Sequence, residues 1–321
     1  MMTIDVLHAA EFLRENDSYL ILMHASPDGD TLGCGWALCR ALRKMGKRVN
    51  AVCPDPIPRK FGYMSQGLPV QEFETENIIC VDVADTKLLG DMRELGDKAE
   101  LCIDHHLSNT GYAKRVLLKP EYAAAAELVY EVICALETDI DRDIANCLYT
   151  GIATDTGCFK YSNTTPQTHM IAAVMIKCGA ETAAINYAMF DLKTQGRLRL
   201  EREVLNSIKY FEEGRVALVS VPLSMLENIP DIDSDDVGAM AALPRQIEGV
   251  EVGITLKEKK KGVFKASLRS GENINCAEIC MKFGGGGHER SAGCSFTSSF
   301  EEAEKAIVDA CCEAVQKIGA V

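Results

Sequence analysis

Three short apolar runs in this chain each stop at residues able to bind a cation or move a proton. Residues 19–23 run into His24-Ala-Ser-Pro-Asp28-Gly-Asp30, residues 77–81 into Asp82, and residues 101–103 into Asp104-His105-His106. Runs that are apolar along their whole length, without polar alternation, belong to strands buried on both faces. Helical patterns separate them: residues 3–16, with Thr3 placed as the cap, residues 31–45, stopped by Gly46, and the alanine-rich residues 123–136. Strand and helix alternate, so the expected fold is α/β, with a doubly wound, mainly parallel sheet covered on both faces. Ligands of such sheets bind at the carboxyl ends of the strands, where these aspartates and histidines fall. Asp155, which follows a helical stretch at 143–150 and Gly151-Ile-Ala, is expected to join them at a fourth such end.

The chain has 321 residues, enough for two domains. A charged amphipathic stretch at 193–211 has no strand before it and reads as a connector. The expected division is a catalytic domain at 1–194, a linker helix at 195–213, and a smaller α/β domain with a mixed sheet at 214–321. That second part carries strand patterns at 216–221, 251–256, 263–269 and 292–296, and helical patterns at 235–247, 276–283 and 299–318.

A net charge of -13 excludes a broad, sequence-independent grip on long nucleic acid, which needs a basic surface to release counterions. An anionic substrate should be small and locally held. The one basic block, Lys257-Glu-Lys-Lys-Lys261, lies between two strand patterns and reads as a solvated hairpin tip. Apolar runs fall far short of the roughly 20 residues that span a bilayer, and no signal peptide opens the chain, so a cytoplasmic protein is expected. The 14 cysteines are scattered without a CxxC pair, which suits free thiols in a reducing compartment. His8 and His169 fall in amphipathic helices and read as structural.

Carboxylates and imidazoles without a thiolate suit a hard or borderline cation, magnesium or manganese ahead of zinc, and the imidazoles tilt the choice to manganese. So many carboxylates need neutralising. Two cations roughly 3.5–4 Å apart, sharing a carboxylate, would offset the repulsion, acidify a bound water and clamp both oxygens of an in-line displacement at phosphorus. Hydrolysis of a phosphate ester is the chemistry this implies. Four consecutive glycines, Gly284 to Gly287, expose backbone N–H groups to an anion, and His288 adds a donor. Arg269-Ser270, at the end of a predicted strand, can grip a phosphate in bidentate fashion. A flexible turn and a surface arginine are the plain alternatives for these two features.

In combination, His24-Ala-Ser-Pro-Asp28-Gly-Asp30, Asp82, Asp104-His105-His106, Asp155 and the Gly284–Gly293 run resemble the DHH phosphoesterase family with its DHH-associated domain. The resemblance covers nearly the whole chain in order. It is nearest to the short branch of nanoRNases that degrade oligoribonucleotides and remove the 3'-phosphate of adenosine 3',5'-bisphosphate (pAp). It implies a two-manganese site, with magnesium as the other candidate. His24, Asp28 and Asp82 would hold one ion; Asp30, Asp82, His105 and Asp155 would hold the second, with Asp82 bridging. His106 would contact the scissile phosphate and help protonate the leaving oxygen, and Asp104 would orient the imidazoles. Arg269, Ser270, Gly286, Gly287 and His288 would hold the substrate's nucleotide or terminal phosphate in a cleft between the domains. Short oligoribonucleotides and pAp are then the expected substrates, with no long duplex and no membrane, and the amphipathic helices between residues 166 and 190 could pair two copies. Three alternatives stand beside this reading: a phosphodiesterase for linear or cyclic dinucleotides, a family-II-type pyrophosphatase or exopolyphosphatase, and a catalytically silent nucleotide-binding module.

Overall fold

The computed structural model describes residues 2–318, the side chains of Ser234 and Asp235 excepted. The chain divides into two compact units, Met1–Leu192 and Lys193–Val321. Residues 319–321, the end of the expected second domain, and residue 1 lie outside the described residues.

The first unit is built on six strands: β1 (Met2–Thr3), β2 (Tyr19–Leu22), β3 (Val49–Val52), β4 (Asn77–Val81), β5 (Leu101–Asp104) and β6 (Arg115–Leu118). They form one parallel sheet in the order β1-β6-β5-β4-β2-β3. From β2 the chain moves outward to β3 and then crosses back to β4 on the other side of β2. The carboxyl ends of β2 and β4 therefore lie side by side where the winding reverses, the crevice in which open α/β sheets bind ligands. The helices are α1 (Val6–Glu15), α2 (Gly29–Lys44), α3 (Arg93–Gly96), α4 (Ala125–Ala135), α5 (Arg142–Asp155), α6 (Pro166–Lys177) and α7 (Thr182–Asn186). Tyr19, Ile21, Ile79, Val81 and Ile103 pack into the layer made by α1, α2, α4 and α5. Leu22, Ile78, Cys80 and Cys102 pack into a thinner layer with Val83 and Leu89 on the opposite face. Burial on both sides is why these runs carry no polar alternation.

Two expectations for this unit need correction. Helix α1 starts at Val6, capped by Asp5, whose side chain accepts from the His8 N–H at 2.9 Å, while Thr3 lies in β1 and pairs with β6. A two-residue strand has no periodicity to read. Asp155 ends a helix, not a strand: α5 runs through Gly151 without a break. Gly151 is a packing notch, since a Cβ there would sit 2.7 Å from Asp30 Oδ1 and 2.8 Å from Ala126 Cβ. Gly33 does the same from α2, where a Cβ would reach 2.5 Å from the Cys147 carbonyl oxygen. Small residues on both helices bring the Asp30 end of α2 against the Asp155 end of α5.

The second unit contains β7 (Lys209–Phe211), β8 (Val216–Val221), β9 (Val252–Lys260), β10 (Val263–Ser270), β11 (Gly286–His288) and β12 (Ser291–Thr297), ordered β11-β12-β10-β9-β8-β7. The sheet is mixed: β8 and β9 are parallel, and the other neighbours antiparallel. Helices α11 (Cys276–Met281) and α12 (Phe300–Ile318) close one face over Leu218, Ile254, Ala266 and Leu268. On the other face, α8 (Gln195–Asn206), α9 (Leu223–Glu227) and α10 (Ser234–Ala239) cover Val219 and Val221. The helix expected at 235–247 gives way after Ala239 to a 3-10 segment, Met240–Gln246, around Pro244, which cannot supply an α-helical N–H. The expected connector at 193–211 is shorter as a helix, ending at Asn206; Leu200 and Val204 pack into the second unit, and Lys209–Phe211 forms its edge strand. The glycine run also differs from an open turn, because Gly286–His288 pairs with β12.

Candidate metal centre and substrate face

His24, Asp28 and Asp30 reach the crevice through one turn. Asp28 caps α2, its Oδ1 accepting from the N–H groups of Asp30 (3.0 Å) and Thr31 (3.2 Å). Thr31 fastens the turn to β4 by donating its hydroxyl to the Val81 carbonyl at 3.1 Å. Asp82 follows directly, in the left-handed region at φ 57°, a conformation costly for a residue with a Cβ. Asp30 is fully buried, and its oxygens accept the Ala125 and Ala126 N–H groups at 2.6 and 3.0 Å, the free donors at the start of α4.

Donor atoms from three strand-end turns and from the end of α5 then meet. His24 Nε2 lies 3.7 Å from Asp28 Oδ1 and 3.6 Å from Asp82 Oδ2. His105 Nε2 lies 3.9 Å from Asp30 Oδ2, 3.6 Å from Asp82 Oδ1 and 3.4 Å from Asp155 Oδ2. His106 Nδ1 is 3.5 Å from Asp82 Oδ1. Among the described residues, three triads have ligand atoms all within 4.8 Å of one another: His24-Asp28-Asp82, Asp30-His105-Asp155 and Asp82-His105-His106. Asp82 stands in two of them, one oxygen toward each side.

The second nitrogen of each imidazole is tied back. His24 Nδ1 donates to the Ala25 carbonyl at 2.8 Å and His105 Nδ1 to the Tyr122 carbonyl at 3.1 Å, which leaves both Nε2 atoms directed at the carboxylates. His106 Nδ1 donates to Asp104 Oδ1 at 2.8 Å. Asp104 also accepts the His105 and His106 backbone N–H groups and the Asn109 side-chain amide. Asn109 is a positioning residue that sequence reading missed; its only signal was a turn-forming Asn-Thr-Gly five residues beyond Asp104.

Burial and mutual repulsion dominate the electrostatics. Burial pushes the Asp82 carboxyl up to about 7, and burial with the Asp30 and Asp28 charges pushes Asp155 up to about 8. Burial, then Asp82 and Asp28, raise Asp30 well above the ordinary value. Burial depresses His24, but Asp28 and Asp82 outweigh it and raise the ring to about 11. The hydrogen bond to Asp104 raises His106 to about 9, whereas burial lowers His105. Burial also raises Asp104, but the His106 and Asn109 hydrogen bonds outweigh it and hold the carboxyl below its ordinary value. Asp82 Oδ1 is buried without a hydrogen-bond partner, a costly state for a carboxylate oxygen that a cation would relieve. The donor set, oxygen and imidazole without thiolate, fits manganese or magnesium.

In the second unit, Arg269 of β10 and His288 of β11 stand in register on either side of Ser291 of β12, so both side chains project from one face of the sheet. Gly286 and Gly287 precede His288 along the exposed edge. Gly287 leaves room for the close β12 backbone, since a Cβ would sit 2.6 Å from Ala292 Cα. Ser270 does not join this group: it follows Arg269 on the opposite face, and its hydroxyl donates to the Ile274 carbonyl at 2.6 Å, closing the loop after β10.

Residues 18–152 match the model of the DHH family, N-terminal domain, and residues 220–317 match the DHHA1 domain. The chain carries a DHH domain followed by a DHHA1 domain. By sequence this DHH protein is similar to proteins named bifunctional oligoribonuclease and PAP phosphatase NrnA. Identity is 29% with that of Thermus thermophilus, over 93% of this chain and 90% of the relative, and 24% with that of Bacillus subtilis, over 91% and 93%. An exopolyphosphatase-related protein from Bacteroides fragilis has a solved structure with TM-score 0.88 at 26% identity, covering 98% of this chain and 96% of that one. Exonuclease RecJ bound to manganese shares the fold at TM-score 0.55 and 15% identity, over 98% and 95%. No described helix is long and apolar enough to cross a membrane.

Proposed function

We propose that this chain is a manganese-dependent phosphoesterase that hydrolyses short oligoribonucleotides to nucleoside 5'-monophosphates and removes the 3'-phosphate of pAp, leaving AMP. The observation that carries the reading is Asp82, whose two oxygens face separate donor sets and whose Oδ1 is buried and unpaired. The similarity to the oligoribonuclease and PAP phosphatase relatives over nine-tenths of the chain supplies the substrate class.

His24, Asp28 and Asp82 would hold one ion, and Asp30, Asp82, His105 and Asp155 the other. When bound, two such ions supply an acidified water as nucleophile and neutralise charge on the reacting phosphate. His106, whose basicity the hydrogen bond to Asp104 raises, would donate its Nε2 proton to the oxygen that departs when the P–O bond breaks. Asp104 fixes the ring plane and keeps Nδ1 protonated. Arg269 and His288, with the backbone of Gly286 and Gly287, hold the nucleotide or terminal phosphate; Ser270 shapes the loop beside them. All 14 thiols are unpaired, which suits a reducing cytoplasm.

The test is purified protein with manganese, given pAp and labelled oligoribonucleotides of two to twenty-four residues, with products resolved by length over time. Release of phosphate from pAp and of 5'-monophosphates from the shortest oligomers is expected. Hydrolysis of pyrophosphate or cyclic dinucleotides in preference to both would sink the assignment.

A further inference from the structure

The lysine block at 257–261 is left unused by the function proposed above, and its place in the sheet gives it a different meaning from a bare hairpin tip. Lys265 of β10 pairs with Lys257 of β9 on one side and Ser295 of β12 on the other. Two residues further along β10, Ser267 stands beside Gly293; two more bring Arg269, beside Ser291 and, across it, His288. Side chains in these paired positions share a face, opposite to the one on which Ala266, Leu268 and Ala292 enter the core. Lys265 confirms the placement, because its Cε lies 3.5 Å from the point a Cβ on Gly293 would occupy. Its stem thus lies along the face.

Lys257, Lys259 and Lys265 have no ion-pair partner among the described residues. Burial and the neighbouring Lys259 and Lys265 charges push the Lys257 amine below its ordinary value. Uncompensated cations crowded on one face of a chain with net charge -13 call for an anion from outside. Lys265 and Arg269 are four residues apart on one strand, about 13 Å, room for more than one internucleotide linkage.

We propose that this face is a track for the phosphodiester backbone of a short single-stranded oligonucleotide, gripped at one end by Arg269 and His288 and contacted further along by Lys265 and Lys257. The proposal rests on the oligoribonuclease reading and adds the residues that distinguish an oligomer from a mononucleotide. The nucleotide pAp reaches only the Arg269 row, whereas a pentamer reaches both lysines. The chain thereby favours oligomers through local charge although its overall charge is negative.

The experiment compares the wild-type protein with Lys257→Gln/Lys265→Gln and with Lys257→Arg/Lys265→Arg, each with manganese, on pAp and on a pentaribonucleotide. Binding of a phosphorothioate-linked pentamer is followed in parallel by fluorescence anisotropy over a range of salt. In the glutamine variant, the ratio of kcat/KM on the pentamer to that on pAp should fall about tenfold, and the salt slope of pentamer binding should shrink by about 0.7 per lost contact. The arginine variant should keep both. Equal losses on the two substrates, or no change in either, overturn the track. If the wild type hydrolyses neither substrate yet binds the pentamer through these lysines, the track stands and the hydrolase reading falls. If the wild type hydrolyses both and the glutamine variant matches it, the reverse holds.

Discussion

The two units carry their functional groups in opposite electrostatic settings. In the first, Asp30, Asp82 and Asp104 are at most 2% exposed, so their charges are forced together away from water. In the second, Arg269 is half-buried and His288 exposed at the edge of the sheet. A buried, mutually repelling cluster is held at a cost in stability by the surrounding fold, and such a cost is expected where strong divalent binding requires it. An exposed cationic face stores no comparable strain and serves recognition. The first unit should therefore control turnover and stability together, and the second affinity alone.

The sharpest way to break this contrast is Asp82→Asn. Loss of the shared carboxylate should lower kcat on pAp by about 10⁴-fold. The same change removes a crowded buried charge, so the chelator-treated variant should melt at a higher temperature than the chelator-treated wild type. A variant both inactive and less stable would count against stored repulsion as its origin.

A second effect follows from proton linkage. Burial and crowded charge push Asp82 up to about 7 and Asp155 up to about 8, above their ordinary 3.8. Between these limits the folded metal-free protein binds more protons than the unfolded chain, so its stability falls as pH rises from about 4 to 8. His24 and His106, raised to about 11 and about 9, push the same way above 6.5. Manganese takes deprotonated ligands, so the melting-temperature gain it gives should widen over that range. Calorimetry at several pH values, with chelator and with manganese, checks this; a gain that narrows with pH contradicts it.

On the second unit, Arg269→Ala should raise KM for pAp about tenfold, the cost of a lost charge-assisted hydrogen bond, with kcat little changed. The smallest effect belongs to Asn109→Ala. Loss of one hydrogen bond to Asp104, about 1 kcal/mol, should slow turnover several-fold and leave KM alone. Steady-state kinetics on both variants separates recognition from positioning.

This contrast also explains what the sequence discloses. The carboxylate- and imidazole-bearing ends of β2, β4 and β5 are legible because strands buried on both faces are apolar without alternation, so each polar residue that stops a run stands out. Asp155 was legible as a candidate for this cluster, and it does stand 3.4 Å from His105 Nε2, but not as a helix end, because Gly151 resembles a helix stop until α2 is seen packed against it. Asn109 and Thr31 were hidden, since they act by holding other groups and their residue types are ordinary in turns and helices. In the second unit, the edge pairing of Gly286–His288 and the shared face of Arg269, Lys265 and Lys257 depend on register between strands distant in sequence, which local pattern does not encode.

The central claim is that His24, Asp28, Asp30, Asp82, His105 and Asp155 form one bimetallic site with Asp82 shared. Manganese titration of the chelator-treated protein, followed by calorimetry and by the electron paramagnetic resonance of coupled ions, tests it directly. The account predicts two ions per wild-type chain with spin coupling between them, and loss of that coupling in Asp82→Asn. A single uncoupled ion in the wild type, or unchanged coupling in the variant, would contradict it.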